Sequence, residues 1–158
     1  MIRPARGSDA AAIAAIWNPI IEGTTVTFTT QTKTEPGLQA LIAERAPAFL
    51  VAEEAGKLLG FATYGAFRAG PGYAQAREHT ILLGPAARGR GLGRALMAAL
   101  EQVARAEGVH VLVGGVSGEN EAGIAFHRAL GFSDTARLAQ VGRKFDRWLD
   151  LVLMQKIL

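Results

Sequence analysis

Seven residues, Arg88-Gly89-Arg90-Gly91-Leu92-Gly93-Arg94, stand directly before an apolar pattern of helical period. Glycine at alternate positions suits neither a strand nor a helix interior, so the segment must be a loop that feeds a helix. The first amides of that helix have no intrahelical acceptor, and the helix dipole is positive there. Glycines let those amides approach an anion closely, and three arginines add charge. The chemistry points to a diphosphate.

Three loop patterns compete for that role. A P-loop needs Gly-x-x-x-x-Gly-Lys-Ser/Thr, and no lysine follows here. A dinucleotide fingerprint needs Gly-x-Gly-x-x-Gly. Its last position falls on Arg94 counted from Gly89, and on Leu96 counted from Gly91, so both registers fail. The pattern that fits is Arg/Gln-x-x-Gly-x-Gly, met by Arg88, Gly91 and Gly93.

Around this loop the chain reads as mixed α/β (α+β) in a single domain, 1–158, with no repeat or linker. The expected elements are a strand at Ile2–Pro4 and a helix after Ser8 or Asp9 carrying Ile13, Ile16, Trp17 and Ile20. A second helix covers Leu38–Glu44. The strands Phe49–Glu53 and Leu58–Tyr64 flank a hairpin turn. Phe67–Ala76 is a loop and Glu78–Leu83 a strand. A helix then runs from about Gly91 to Glu107, with Leu92, Leu96, Ala99, Leu100 and Val103 as its buried stripe. Val109–Val116 is a strand and Glu121–Leu130 a helix closed by Gly131. Leu138–Val141 and Trp148–Gln155 pair across Gly142–Arg147.

Composition narrows the function classes. The chain has no cysteine, which removes disulfides, thiolate metal sites and a cysteine nucleophile. Its three histidines are scattered, so no metal site is expected. A net charge of +3, without a basic stripe, does not call for nucleic acid. Arg3 and Arg6 before Ala10–Ile16 have the outline of a leader. Asp9 at its head, with Asn18, Pro19 and Glu22 at its end, marks an amphipathic surface helix instead. No stretch reaches the ~20 apolar residues of a membrane span. The expectation is a soluble cytoplasmic protein.

The loop resembles motif A of the GNAT superfamily of acetyl-CoA-dependent N-acetyltransferases. The segment Asn120–Phe132, ending Ala129-Leu130-Gly131-Phe132, resembles the later helix of that family. Further matches are Ile2-Arg3-Pro4-Ala5, Tyr64-Gly65, Glu78-His79-Thr80, His127 and Lys144-Phe145-x-x-Trp148-x-Asp150. Together they are similar to the branch that acetylates phosphinothricin and methionine sulfone or sulfoximine. The resemblance runs over essentially the whole chain. It implies a mostly antiparallel central sheet, splayed between the fourth and fifth strands and flanked by helices. One departure is Gly123, where relatives often carry serine.

The resemblance also implies roles. Acetyl-CoA would be held by Arg88, Gly89, Arg90, Gly91, Leu92, Gly93, Arg94 and Asn120. Asn120 could equally be a plain helix N-cap. A backbone amide among Ile81, Leu82 and Leu83 would meet the charge that builds on the acyl oxygen. Glu78 would be the general base, because an ammonium must lose a proton before it attacks. Its alternative is a solvated charge at a strand start, paired with Arg77. His127 is a second acid/base candidate or a packing residue, and His79 is assigned structural weight. Phe28, Pro71, Gly72, Tyr73 and Trp148 would wall a small amine or amino-acid-like acceptor, with Arg68 on its carboxylate. Lys144 and Asp150 are expected to pair. A homodimer is implied through the C-terminal strand. Two alternatives stay open: another amine as acceptor (polyamine, aminoglycoside or protein N-terminus), or a coenzyme A sensor without chemistry.

Overall fold

Phe49–Ala52 and Leu58–Ala62 are runs of apolar residues and glycine rather than alternations, so the central strands must bury both faces, each against different helices. A computed structural model, describing residues 1–158, shows how. The strands are β1 (Ile2–Pro4), β2 (Phe49–Glu54), β3 (Lys57–Ala66), β4 (Ala76–Leu83), β5 (Val111–Ser117), β6 (Ser133–Lys144) and β7 (Arg147–Ile157). The helices are α1 (Ala10–Gly23), α2 (Glu35–Arg45), α3 (Leu92–Ala106) and α4 (Glu121–Ala129). All seven strands form one sheet in the order β1-β2-β3-β4-β5-β7-β6. Every neighbouring pair is antiparallel except β4 and β5.

One sheet face packs Phe49, Val51, Phe61 and Leu82 against Ile13, Trp17, Leu38 and Ile42 of α1 and α2. The other packs Leu50, Ala62, Tyr64 and Leu112 against Leu96, Met97 and Leu100 of α3. Each of these larger side chains is worth roughly 1.5–3 kcal/mol when fully buried. No helix is long and apolar enough to cross a membrane.

The β4–β5 pair positions the site. It is registered only from Ala76–His79 against Val111–Gly114. Beyond His79, β4 continues to Leu83 and β5 to Ser117 without pairing to each other, so the sheet opens into a V. This is the splay the resemblance implied.

Several elements depart from the sequence reading. Asp9 stands at the N-cap of α1, but its carboxylate serves the preceding turn, accepting from the Arg6 amide at 2.7 Å and from Arg3. Pro19 lies inside α1 rather than near its end. It is exposed, and the buried stripe continues past it to Ile21. α2 starts at Glu35 because the Thr34 hydroxyl caps the Gly37 amide at 3.1 Å and Pro36 suits a first turn. The buried stripe of α3 is Gly93, Leu96, Met97, Leu100, Glu101 and Ala104; Leu92, Ala99 and Val103 are only half-buried. Gly93 belongs to the stripe because its bare face lies against the Phe126 ring. β6 is much longer than Leu138–Val141, and its turn is Phe145-Asp146 alone, both at positive φ. Two register shifts in β6 erase the alternation that would have announced it.

Candidate active site

The V between β4 and β5 holds a cavity of about 220 Å³, lined by Thr80, Ile81 and Leu82 on one wall and by Gly115 and Val116 on the other. Val26–Phe28 and Leu151 cover one end, and His79, Asn120 and His127 the other. The Gly84 amide donates to the Leu59 carbonyl on β3 at 2.8 Å. Strand amides alternate in direction, so the Leu82 amide also faces β3, while those of Ile81 and Leu83 face the V. Past His79 they have no strand partner. Of the three amides expected from sequence, these two are the available donors.

At the open end of the V, past Leu83, the chain passes Pro85–Ala87 and enters the glycine loop. Gly89 and Gly91 lie at φ +73° and +74°, with open space where a side chain would be. Gly91 is the N-cap of α3, so the first amides of that helix face solvent at the mouth of the V. Gly93 has a different reason to be glycine: a Cβ there would stand 3.1 Å from the Phe126 ring. Arg88 and Arg94 are exposed. Arg90 is spoken for, forking onto Glu54 at 2.7 and 2.8 Å. A glycine loop at positive φ, a helix start and two unengaged arginines fit a diphosphate. The facing amides of β4 fit an extended amide-bearing arm such as that of coenzyme A.

Asn120 caps α4, its Oδ1 accepting from the Gly123 amide at 2.9 Å, while the residue also borders the cavity. A Cβ at Gly123 would collide with the Asn120 amide nitrogen. The glycine therefore sets where this side chain lies.

Glu78 is the third residue of β4, not its first. It is accessible and forms no ion pair with Arg77, whose registered partner Leu112 belongs to the α3-side core. The Glu78 Oε1 stands 3.6 Å from where a Cβ of Gly115 would be, so the carboxylate borders the cavity wall. Protein packed around it raises its pKa above the ordinary carboxylate value, and the charge of Arg45 opposes that rise. Arg45 lies across Gly65, the β3 residue registered with Glu78.

His79 and His127 meet on the opposite face, Nε2 to Nε2 at 2.8 Å. His127 Nδ1 donates to the Gly123 carbonyl at 2.7 Å. Both rings are buried, packed with Phe132. Burial, and then the neighbouring His127, push His79 down to about 3. Burial also lowers His127, against the pull of the Gly123 carbonyl. His127 lines the cavity as expected, but its free ring nitrogen is engaged by His79.

The acceptor-side residues are dispersed. Phe28 lines the cavity, its ring lying against Gly142, where any Cβ would collide with it. The expected Lys144–Asp150 pair does not form. Buried Lys144 donates to the Thr27 carbonyl at 2.8 Å, and Asp150 instead binds Arg137 and the Gln140 amide. The reason is directional: the side chain of Lys144 turns inward to hold the segment that carries Phe28. Burial lowers its pKa. Asn18 ties the same segment, exchanging two hydrogen bonds with the Lys33 backbone. Pro71, Gly72 and Tyr73 form an exposed turn, where Tyr73 packs edge-on to Phe67 and under Arg68. Trp148 does not line the cavity. It is 59% exposed on the β6–β7 hairpin, beneath the Arg143 guanidinium. Its side of the cavity is closed by Leu151 instead. Sequence reading missed Arg45, Gly115 and Leu151; only the pairing of Gly65 with Glu78 and of β5 with β7 reveals them.

The Acetyltransferase (GNAT) family model matches residues 15–132. An L-amino acid N-acyltransferase of Escherichia coli is 41% identical, covering 98% of this chain and 91% of its own. An L-methionine sulfoximine/L-methionine sulfone acetyltransferase of Pseudomonas aeruginosa is 39% identical, covering 98% and 92%. Among solved structures, a ribosomal-protein-alanine N-acetyltransferase from Brucella melitensis superposes with a TM-score of 0.96 at 40% identity, covering 100% and 99%. A phosphinothricin acetyltransferase from Sinorhizobium meliloti, solved with acetyl-CoA, superposes with a TM-score of 0.94 at 30% identity, covering 100% and 88%.

Proposed function

Because this chain belongs to the GNAT family of N-acetyltransferases, we propose that it acetylates the primary amine of a small amino-acid analogue of the methionine sulfone, methionine sulfoximine or phosphinothricin type. Acetyl-CoA supplies the activated acetyl thioester. The α3 amides behind Gly89 and Gly91, with Arg88 and Arg94, would hold its diphosphate. The Ile81 and Leu83 backbone and Asn120 would hold its extended arm. Of these two amides, the one that lies nearer the thioester is the donor for the charge that builds on the acyl oxygen.

Glu78 carries the chemistry. An amino-acid ammonium with a pKa of roughly 8–10 is mostly protonated at neutral pH and must lose a proton before it attacks. A carboxylate bordering the cavity, free of any ion pair and with its pKa raised by its surroundings, is equipped to take that proton. That arrangement is the single observation on which the reading rests. Phe28 walls the acceptor, and Arg68, with the Pro71–Tyr73 turn, approaches its carboxylate from the loop side. His127, tied to His79, orients the cavity floor.

Glu78→Gln is expected to lower kcat by about 10²–10⁴-fold while acetyl-CoA binding, followed by calorimetry, stays unchanged. An unchanged kcat removes Glu78 as the base. Release of free coenzyme A with methionine sulfone, methionine sulfoximine or phosphinothricin tests the acceptor. The likeness to the ribosomal-protein-alanine N-acetyltransferase of Brucella melitensis favours one other acceptor, an alanine of a ribosomal protein. Alanine-initiated peptides in the same assay decide between the two. Tight acetyl-CoA binding without turnover on any amine would instead mark a sensor.

A further inference from the structure

Arg45 ends α2, and its guanidinium crosses the bare face of Gly65. A Cβ there would stand 2.8 Å from Nη2, 3.0 Å from Cζ and 3.2 Å from Nε. Gly65 is registered with Glu78, so the guanidinium and the Glu78 carboxylate share one sheet face. Arg45 is half-buried, yet its side chain makes no ion pair with any carboxylate. Glu44 and Glu78 act on it only through space. Its guanidinium carries five donors, none of them taken by a protein acceptor, and the protein shields part of it from water. The absence of a side chain at position 65 is what admits it.

We propose that Arg45 binds the carboxylate of the acceptor, as the fixed half of an anion clamp whose other half is the loop-borne Arg68. This rests on the acceptor being an amino-acid analogue. Amine and carboxylate are attached to one carbon in such a molecule. When the amine is presented to Glu78, the carboxylate must lie within a few ångströms on the same face, where Arg45 stands. Arg77 extends toward the opposite face, and Arg68 is exposed on the loop over Tyr73. A planar fork is suited to a carboxylate.

The test compares L-methionine sulfone with its carboxamide in wild type, Arg45→Gln, Arg45→Lys and Gly65→Ala. Arg45→Gln is expected to raise KM for the sulfone about 10- to 100-fold, leaving the carboxamide and acetyl-CoA within about twofold. Gly65→Ala, which displaces the same guanidinium, should reproduce that selectivity, and Arg45→Lys should fall between. If Arg45→Gln does not fold, the other two variants carry the test. Calorimetry with methionine sulfone alone reads the contact without turnover. A protein that releases no coenzyme A but binds the sulfone through Arg45 refutes the acetylation reading and keeps the contact. Equal losses on sulfone and carboxamide overturn the proposal. So does a shifted pH profile without acceptor discrimination, which would mean that Arg45 acts through Glu78.

Discussion

Two ring nitrogens 2.8 Å apart can share only one proton, and this fixes the state of the His79–His127 pair. His127 Nδ1 must carry a hydrogen, because its partner is a carbonyl. In the neutral ring its Nε2 is then an acceptor, so His79 carries its hydrogen on Nε2. That leaves His79 Nδ1 without a hydrogen; it is buried without a partner, and the Val113 backbone opposes the fall of the His79 pKa. Protonating the pair would place charge in an apolar enclosure. Both folded pKa values lie below the unfolded value of about 6.5, so the unfolded state binds more protons below that pH. Stability is therefore fully present above pH ~6.5 and falls as pH drops toward the folded values. Urea unfolding should show a loss of roughly 1–2 kcal/mol between pH 7 and pH 5 from this pair. His79→Asn should flatten that slope; an unchanged slope would assign it to other groups.

The glycine loop and α3 act as one element, and their glycines are not equivalent. Gly91 is held at φ +74°, a conformation that costs an alanine about 1–2 kcal/mol. Gly91→Ala should lower the melting temperature by a few degrees. It should also raise KM for acetyl-CoA several-fold, leaving KM for the acceptor alone, because the α3 amides would be re-aimed. Gly93→Ala works by another route, through the Phe126 ring 3.1 Å away, and should tilt the helix start. Stopped assays at varied acetyl-CoA, beside thermal melts, separate these effects. Equal rises in both KM values would show that the loop does not act on the cofactor alone.

At the scale of the whole molecule, the β6–β7 hairpin exposes Leu138, Val141, Phe145 and Trp148. Apolar side chains grouped in this way on one hairpin are what an interface buries. We propose that a second copy of the chain covers them. Light scattering should give twice the mass of one chain, and Phe145→Asp with Trp148→Arg should return it to one; a monomeric wild type refutes the dimer. The same hairpin reaches the cavity through Lys144, whose buried ammonium holds the Thr27 carbonyl. Hairpin, covering segment and cavity are thus mechanically joined.

The amino-acid sequence by itself determined the order of elements, the glycine loop at the head of α3 and the placement of Glu78 on β4. These are local matters: helical and strand periods, turn residues and an uncapped helix start are written within a few positions of one another. It also carried the family, because the matching residues are spread along the whole chain. Tertiary structure alone decided which amides of β4 stay unpaired, that His79 and His127 meet, that Lys144 holds Thr27 rather than Asp150, and that Arg45 lies beside Glu78. Alternation says which face a side chain takes. It does not say which strand lies alongside, at what register, or how far a long cation reaches across it. Those depend on the pairing of β3 with β4 and on the parting of β4 from β5, and both are set by packing between segments far apart in the chain.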